Sequence, residues 1–247
     1  DFDFEFILAN DRSPDATDEI IKSILINNPK ASCIKYTNHA VNMGPTPNFM
    51  FTLQQAKGRY VAICEGDDYW TDKFKLQKQV DFLEHNPEYN LVGHEAISSE
   101  NNKLGVFEKD SFDFDEINYR FLRVPTASFV FRNNINYPDW LLNVTGVDRA
   151  LVFLNAMKGK IKILPFEGSF YRIHPGGLDQ YFKKGKFKKP IRNINEEFIY
   201  YNLIKNTKNA SLLYKKIVKT QNFEYGSLRG LPTRIISSTS ESDVNKI

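Results

Sequence analysis

The chain has 247 residues, 41% hydrophobic and 26% charged, an ordinary globular composition able to bury a substantial core. Its 33 Lys and Arg against 30 Asp and Glu leave a formal charge of +3, too mild to argue for a nucleic-acid partner. Cys33 and Cys64 are too few for a disulfide framework and read as reduced thiols, and no apolar run reaches the length of a membrane span.

Phe2, Phe4, Phe6 and Leu8 alternate with Asp3, Glu5 and Ile7, which predicts a strand. It runs into Asn10-Asp11-Arg12-Ser13-Pro14-Asp15-Ala16-Thr17, a cluster of turn formers and helix N-caps. Ile20, Ile21, Ile24 and Leu25 then recur at helical spacing until Asn27-Asn28-Pro29. Residues 32–37 read as a second strand. In Asn42-Met43-Gly44-Pro45-Thr46-Pro47-Asn48, Thr46 reads as an N-cap and Pro47 as the first residue of a helix carrying Phe49, Met50 and Leu53 and closing on Gly58.

Residues 60–64 form a short apolar, β-favouring run, and Glu65, Asp67 and Asp68 follow at once, with Gly66 expected to let the backbone bend among them. Carboxylates packed that closely at a strand end repel one another, and a divalent cation held by oxygen ligands relieves the repulsion. The alternative is a solvated acidic turn. The order β-α-β-α-β decides between them, because parallel strands with right-handed crossovers place the turns after Ala9 and Cys64 on one rim, where open α/β folds bind ligands. Asp11, Asp67 and Asp68 are therefore expected to converge.

Farther on, Thr71 reads as the cap of a helix with Leu76, Val80 and Leu83 in its apolar stripe and Lys73, Lys75 and Lys78 on a solvated face. Leu91 and Val92 begin a strand, 99–115 is a polar surface excursion, and 123–132 is an apolar strand. Trp140, Leu141 and Leu142 are expected in the core. Asp148 opens a helix with Leu151, Val152, Leu154 and Met157, and 161–166 is a strand ahead of Tyr171-Arg172-Ile173-His174-Pro175-Gly176-Gly177. Past Gly177 five lysines interleave with Phe182 and Phe187, two helical segments follow, and the last polar residues read as a disordered tail.

Five stretches in this order resemble the family 2 glycosyltransferases of the GT-A fold, particularly bacterial members that build surface polysaccharide. They are Asn10-Asp11-Arg12-Ser13-Pro14-Asp15-Ala16-Thr17, Asn42-Met43-Gly44-Pro45-Thr46-Pro47-Asn48-Phe49, Cys64-Glu65-Gly66-Asp67-Asp68-Tyr69-Trp70, Lys75-Leu76-Gln77-Lys78-Gln79-Val80 and Tyr171-Arg172-Ile173-His174-Pro175-Gly176-Gly177. The resemblance implies an α/β fold: a Rossmann-like, mostly parallel mixed sheet flanked by helices. It covers a catalytic domain over 1–180, with a basic, helical C-terminal extension over 181–235 and a disordered tail over 236–247. It also implies a further strand and helix ahead of Asp1, which itself reads as mid-protein sequence with no secretory pattern.

The family's site residues carry over by motif. Asn10 and Asp11 fall on the turn that holds the nucleotide base and ribose, with Asn42 and Gly44 beside them. Glu65, Gly66 and Asp67 fall on the DxD motif, with Asp67 as ligand to Mn²⁺ or Mg²⁺ and His174 completing the metal and diphosphate site. Asp148 falls on the catalytic base. Asn10 stands where many members carry Asp, Glu65 replaces the commoner Asp, and Val147 stands where many have Glu.

The resemblance implies an inverting, metal-dependent glycosyltransferase of the hexosyltransferase type. It moves a sugar from a nucleotide-sugar, UDP-linked in the leading reading, to a glycan or lipid-linked acceptor. The expected location is cytoplasmic, with the lysine-rich segment 182–189 read either as a basic loop or as a contact with the anionic inner face of the membrane. Two rivals are an inactive nucleotide-sugar-binding remnant and a metal-dependent nucleotidyltransferase, the latter disfavoured by the lack of a Gly-rich triphosphate loop.

Overall fold

The computed structural model describes residues 3–119, 124–144 and 146–177. The expected extension at 181–235, with its lysine-rich segment, and the tail at 236–247 lie outside the described residues. In order the elements are β1 (Phe6–Asn10), α1 (Thr17–Asn27), β2 (Ile34–Asn38), α2 (Pro45–Gln54), β3 (Tyr60–Ala62), β4 (Tyr69–Trp70) and α3 (Lys75–His85). There follow β5 (Tyr89–Ser98), β6 (Lys103–Leu104), β7 (Ser111–Phe112), α4 (Phe114–Tyr119), β8 (Val130–Arg132), α5 (Val147–Ala156) and β9 (Lys160–Tyr171).

Two sheets carry this α/β fold. β1 and β2 pair in parallel, Phe6 opposite Ile34 and Asn10 opposite Asn38. The larger sheet has the order β3-β8-β5-β9-β4, with β6 beside β5 and β7 beside β9. Its long central pair, β5 and β9, is parallel, and the outer pairings are antiparallel. The expected parallel β-α-β-α-β sheet is thus corrected at its third strand. β3 is only three residues long, and it takes its neighbour from the buried Val130 and Phe131 of β8 rather than from β1. Glu5 ties the two sheets together, its Oε1 accepting the N–H groups of Lys57 at 2.7 Å and Gly58 at 3.2 Å.

The core lies where helices cover β5 and β9. Leu91, Val92 and Ala96 are sealed from water, as a strand flanked on both faces requires. α3 lays Leu83 against Val92 and Val130, with Leu76, Val80 and Leu164 at the margins. α5 buries Ala150 and Leu151 completely.

Several boundaries differ from expectation for local reasons. α2 starts at Pro45 behind Gly44, whose φ of 91° is a left-handed conformation that glycine adopts without strain. Thr46 is therefore inside the helix, and its hydroxyl donates to the Val144 carbonyl at 3.3 Å instead of capping. α3 starts at Lys75, because Thr71 is still bound to the sheet through its N–H to the Gly168 carbonyl at 3.1 Å. The strand expected at 123–132 shortens to β8, since Thr126–Ser128 is a 3₁₀ turn. Leu141 is buried as expected, but Leu142 is 52% exposed. The clearest correction is Lys75: it is 1% exposed, not on a solvated face. Among the described residues no helix is long and apolar enough to cross a membrane.

Candidate active site

The acidic turn is held at both ends. Before it, the Ile63 N–H donates to the Phe129 carbonyl at 3.2 Å; after it, Tyr69 and Trp70 pair with Phe170 and Ser169 of β9. Between these anchors the Asp68 N–H closes the turn on the Glu65 carbonyl at 3.1 Å. The three carboxylates then face different surroundings.

Glu65 points inward. Its Oε2 is buried with no hydrogen-bond partner among the described residues, and the Thr126 side chain lies near the same carboxylate and favours its charged form. Burial pushes its pKa up to about 7, and the nearby Asp68 and Asp148 carboxylates push the same way. Asp67 points outward, its Oδ2 3.1 Å from His174 Nε2. Asp68 accepts the Arg172 N–H at 2.9 Å, and burial still raises its pKa. At Gly66 the φ is not left-handed and a Cβ would meet no heavy atom within 4 Å, so the expected need for glycine at this bend is corrected. The exposed Cys64 is a free thiol whose pKa burial of the sulfur and the neighbouring carboxylates push up to about 11.

Asn10, Asp11, Asn42 and Gly44 form a second knot. Asn10 Oδ1 accepts the Ser13 N–H at 2.8 Å, and its Nδ2 donates to the Tyr36 hydroxyl at 3.2 Å. The Asp11 carboxylate accepts the N–H groups of Met43 at 2.7 Å and Gly44 at 2.9 Å, and Asn42 Nδ2 donates to the Asp11 carbonyl at 3.0 Å. These side chains are engaged in joining the loop after β1 to the loop before α2. Through Thr46 and Val144 the knot is tied to the segment that leads into α5. Asp148 stands in the first turn of α5, exposed, close enough to Glu65 for the two charges to interact.

Behind the acidic turn lies a buried support that the motifs did not reveal. Lys75 Nζ donates to Gln79 Oε1 at 2.9 Å and sits 4.4 Å over the Trp70 ring. Burial pulls its pKa down to about 7. Gln79 Nε2 donates in turn to the carbonyls of Val92 at 2.9 Å and Ser128 at 2.7 Å, and Trp70 Nε1 to that of Ala127 at 2.9 Å. The signal was present in the spacing. Lys75, Gln79 and Leu83 lie four apart on one face of α3, and that face is the buried one. No local signal marked the Thr126 and Arg172 contacts, which span long stretches of chain.

Asp67 and His174 bring one carboxylate oxygen and one imidazole nitrogen to a single spot, a donor pair suited to a divalent cation. Among the described residues no group of three or more His, Cys, Asp or Glu side chains is arranged for a metal.

The family model described as "Glycosyl transferase family 2" matches residues 1–136. The chain belongs to glycosyltransferase family 2. Rv1520 of Mycobacterium tuberculosis, described only as an uncharacterized protein, is 35% identical over 183 residues, 72% of this chain and 52% of its own. The chain thus spans about half the length of that relative. The Escherichia coli UDP-Glc:alpha-D-GlcNAc-diphosphoundecaprenol beta-1,3-glucosyltransferase WfaP is 28% identical over 77% of this chain and 72% of its own. Among solved structures, S. aureus TarS 1–349 in complex with UDP superimposes with a TM-score of 0.61 at 15% identity, over 93% of this chain and 66% of that one. At that identity the likeness speaks for the fold, and the fold is GT-A.

Proposed function

We propose that the chain carries the catalytic domain of an inverting glycosyltransferase, which moves a sugar from a UDP-sugar to a hydroxyl of a glycan or lipid-linked saccharide. The observation that supports this reading is the meeting of Asp67 with His174, 107 residues apart, at 3.1 Å on the acidic turn, where the charge of Asp148 is also felt by Glu65. WfaP, named for a UDP-Glc donor and a diphosphoundecaprenol-linked acceptor, and TarS, crystallised with UDP, support the donor and acceptor classes.

In this reading Asp67 and His174 would hold Mn²⁺ or Mg²⁺, which would supply Lewis-acid charge neutralisation for the leaving nucleoside diphosphate. The knot around Asp11 shapes the loop that receives the nucleoside. Asp148 takes the proton of the acceptor hydroxyl as it attacks the anomeric carbon. A base on the face opposite the leaving group gives a single displacement with inversion. Holding acceptor and donor in line adds the entropic share of the rate.

Asp148→Asn and Asp67→Asn test the assignment together. Asp148→Asn is expected to keep UDP binding and lose transfer by about 10² to 10⁴ in rate. Asp67→Asn is expected to lose the dependence of UDP binding on divalent cation while its thermal unfolding stays within about 0.5 kcal/mol of the parent, as surface substitutions do. Calorimetry with and without chelator, and product formation with anomeric analysis, read both out. An active Asp148→Asn protein, or a product of retained configuration, rejects the mechanism.

A further inference from the structure

Arg12 stands in the middle of the loop that joins β1 to α1, and its φ is +60°, a left-handed conformation in which a side chain is strained. One other non-glycine residue, Asn101, shares this feature among the described residues, and asparagine tolerates it far better than arginine. The strain is imposed from both sides. Asn10 Oδ1 holds the Ser13 N–H, and the Asp11 carboxylate is clamped by Met43 and Gly44, so the residue between is fixed in space.

The side chain so presented is exposed and makes no hydrogen bond or ion pair with the described residues. The loop clamped to Asp11 carries two apolar side chains left in water, Met43 at 41% and Val41 at 62% exposed. A planar guanidinium unpaired among the described residues on one loop, and exposed apolar side chains on the loop tied to it, suit a flat ligand with apolar faces and carbonyl oxygens on its edge. A nucleobase has this character.

We propose that Arg12 is a specificity-determining residue that reads the 4-keto oxygen of the donor's uracil, with Met43 and Val41 against the ring. Arginine only donates, so it favours a keto oxygen at this position and disfavours the amino group that cytosine carries there. This inference rests on the donor reading above and adds the residue that selects the base.

The test compares UDP and CDP affinities by calorimetry in Mg²⁺ for the unaltered chain, Arg12→Ala and Arg12→Gly. The unaltered chain is expected to prefer UDP by about tenfold or more, and both variants to reduce the preference to within about threefold, chiefly by weakening UDP. Arg12→Gly is also expected to melt higher than the parent, because glycine accepts the left-handed backbone. An unchanged UDP preference in Arg12→Ala overturns the proposal even if the melting temperature of Arg12→Gly rises. Equal weakening of UDP, CDP and inorganic pyrophosphate assigns Arg12 to the phosphates and overturns it as well. A parent that binds no nucleoside diphosphate removes the donor reading, and this inference falls with it.

Discussion

Buried bases without acidic partners make the protein's stability sensitive to pH one residue at a time. His94 is fully buried, its Nδ1 donates to the Glu95 carbonyl at 2.7 Å, and its Nε2 has no hydrogen-bond partner among the described residues. Its ring lies 4.8 Å from that of Phe166. Burial, reinforced by Lys75, pulls its pKa down to about 3. The folded state thus keeps the ring neutral, while the unfolded chain takes up a proton near pH 6.5. The stability this leaves is complete above pH 6.5 and drains away as pH falls toward 3, by up to about 1.4 kcal/mol per pH unit. His94→Gln is expected to flatten that acid limb, which thermal melts at pH 7, 5 and 4 will show; parallel curves for parent and variant would assign the limb to other groups.

At the scale of one helix, α3 pairs a favourable and an unfavourable feature on its buried face. Leu83 fills the core, but Lys75 brings an amine there with only Gln79 and the face of Trp70 to answer it. With the folded pKa near 7 and the unfolded value near 10.5, the unfolded chain binds the extra proton between those limits. Stability therefore rises with pH across that window, and below pH 7 the full penalty is present. Lys75→Met keeps the length and removes the charge. It is expected to stabilise the fold by about 1–3 kcal/mol at pH 6.5, with a smaller gain at pH 9.5. A gain that does not shrink with pH would mean that the amine is not the source of the penalty. Placement of Lys75 behind the acidic turn also predicts a cost in transfer rate, since loosening Trp70 loosens β4 and the end of the turn.

For the whole molecule, the proposed function makes the acceptor decide where the protein works. If it is lipid-linked, as in the name of WfaP, the lysines of 182–189 are placed in sequence just past His174 and the site's edge. If the segment does engage an anionic bilayer, each near-surface lysine would contribute about 1 kcal/mol, and Phe182 and Phe187 would add insertion. Replacing the five lysines Lys183, Lys184, Lys186, Lys188 and Lys189 with glutamine is expected to reduce sedimentation with anionic liposomes, and added salt should mimic the change. A parent chain that ignores such liposomes at low salt leaves the segment a basic loop.

What the sequence determined by itself is local in origin. An apolar β-favouring run followed at once by Glu65, Asp67 and Asp68 announces a strand end loaded with charge, and the 3.6-residue period of Leu151, Val152 and Leu154 announces α5 with Asp148 at its start. Both features depend on neighbours within a few residues, so pattern alone exposes them. Tertiary structure decided the rest, because it depends on which distant surfaces meet. β3 found β8 rather than β1; the Arg172 N–H closed on Asp68; and the Asp11 carboxylate was taken by the N–H groups before α2. Lys75 shows the division most sharply. Its charge argues for solvent in any window of sequence, and only the packing of α3 against β5 and Trp70 takes it out of water.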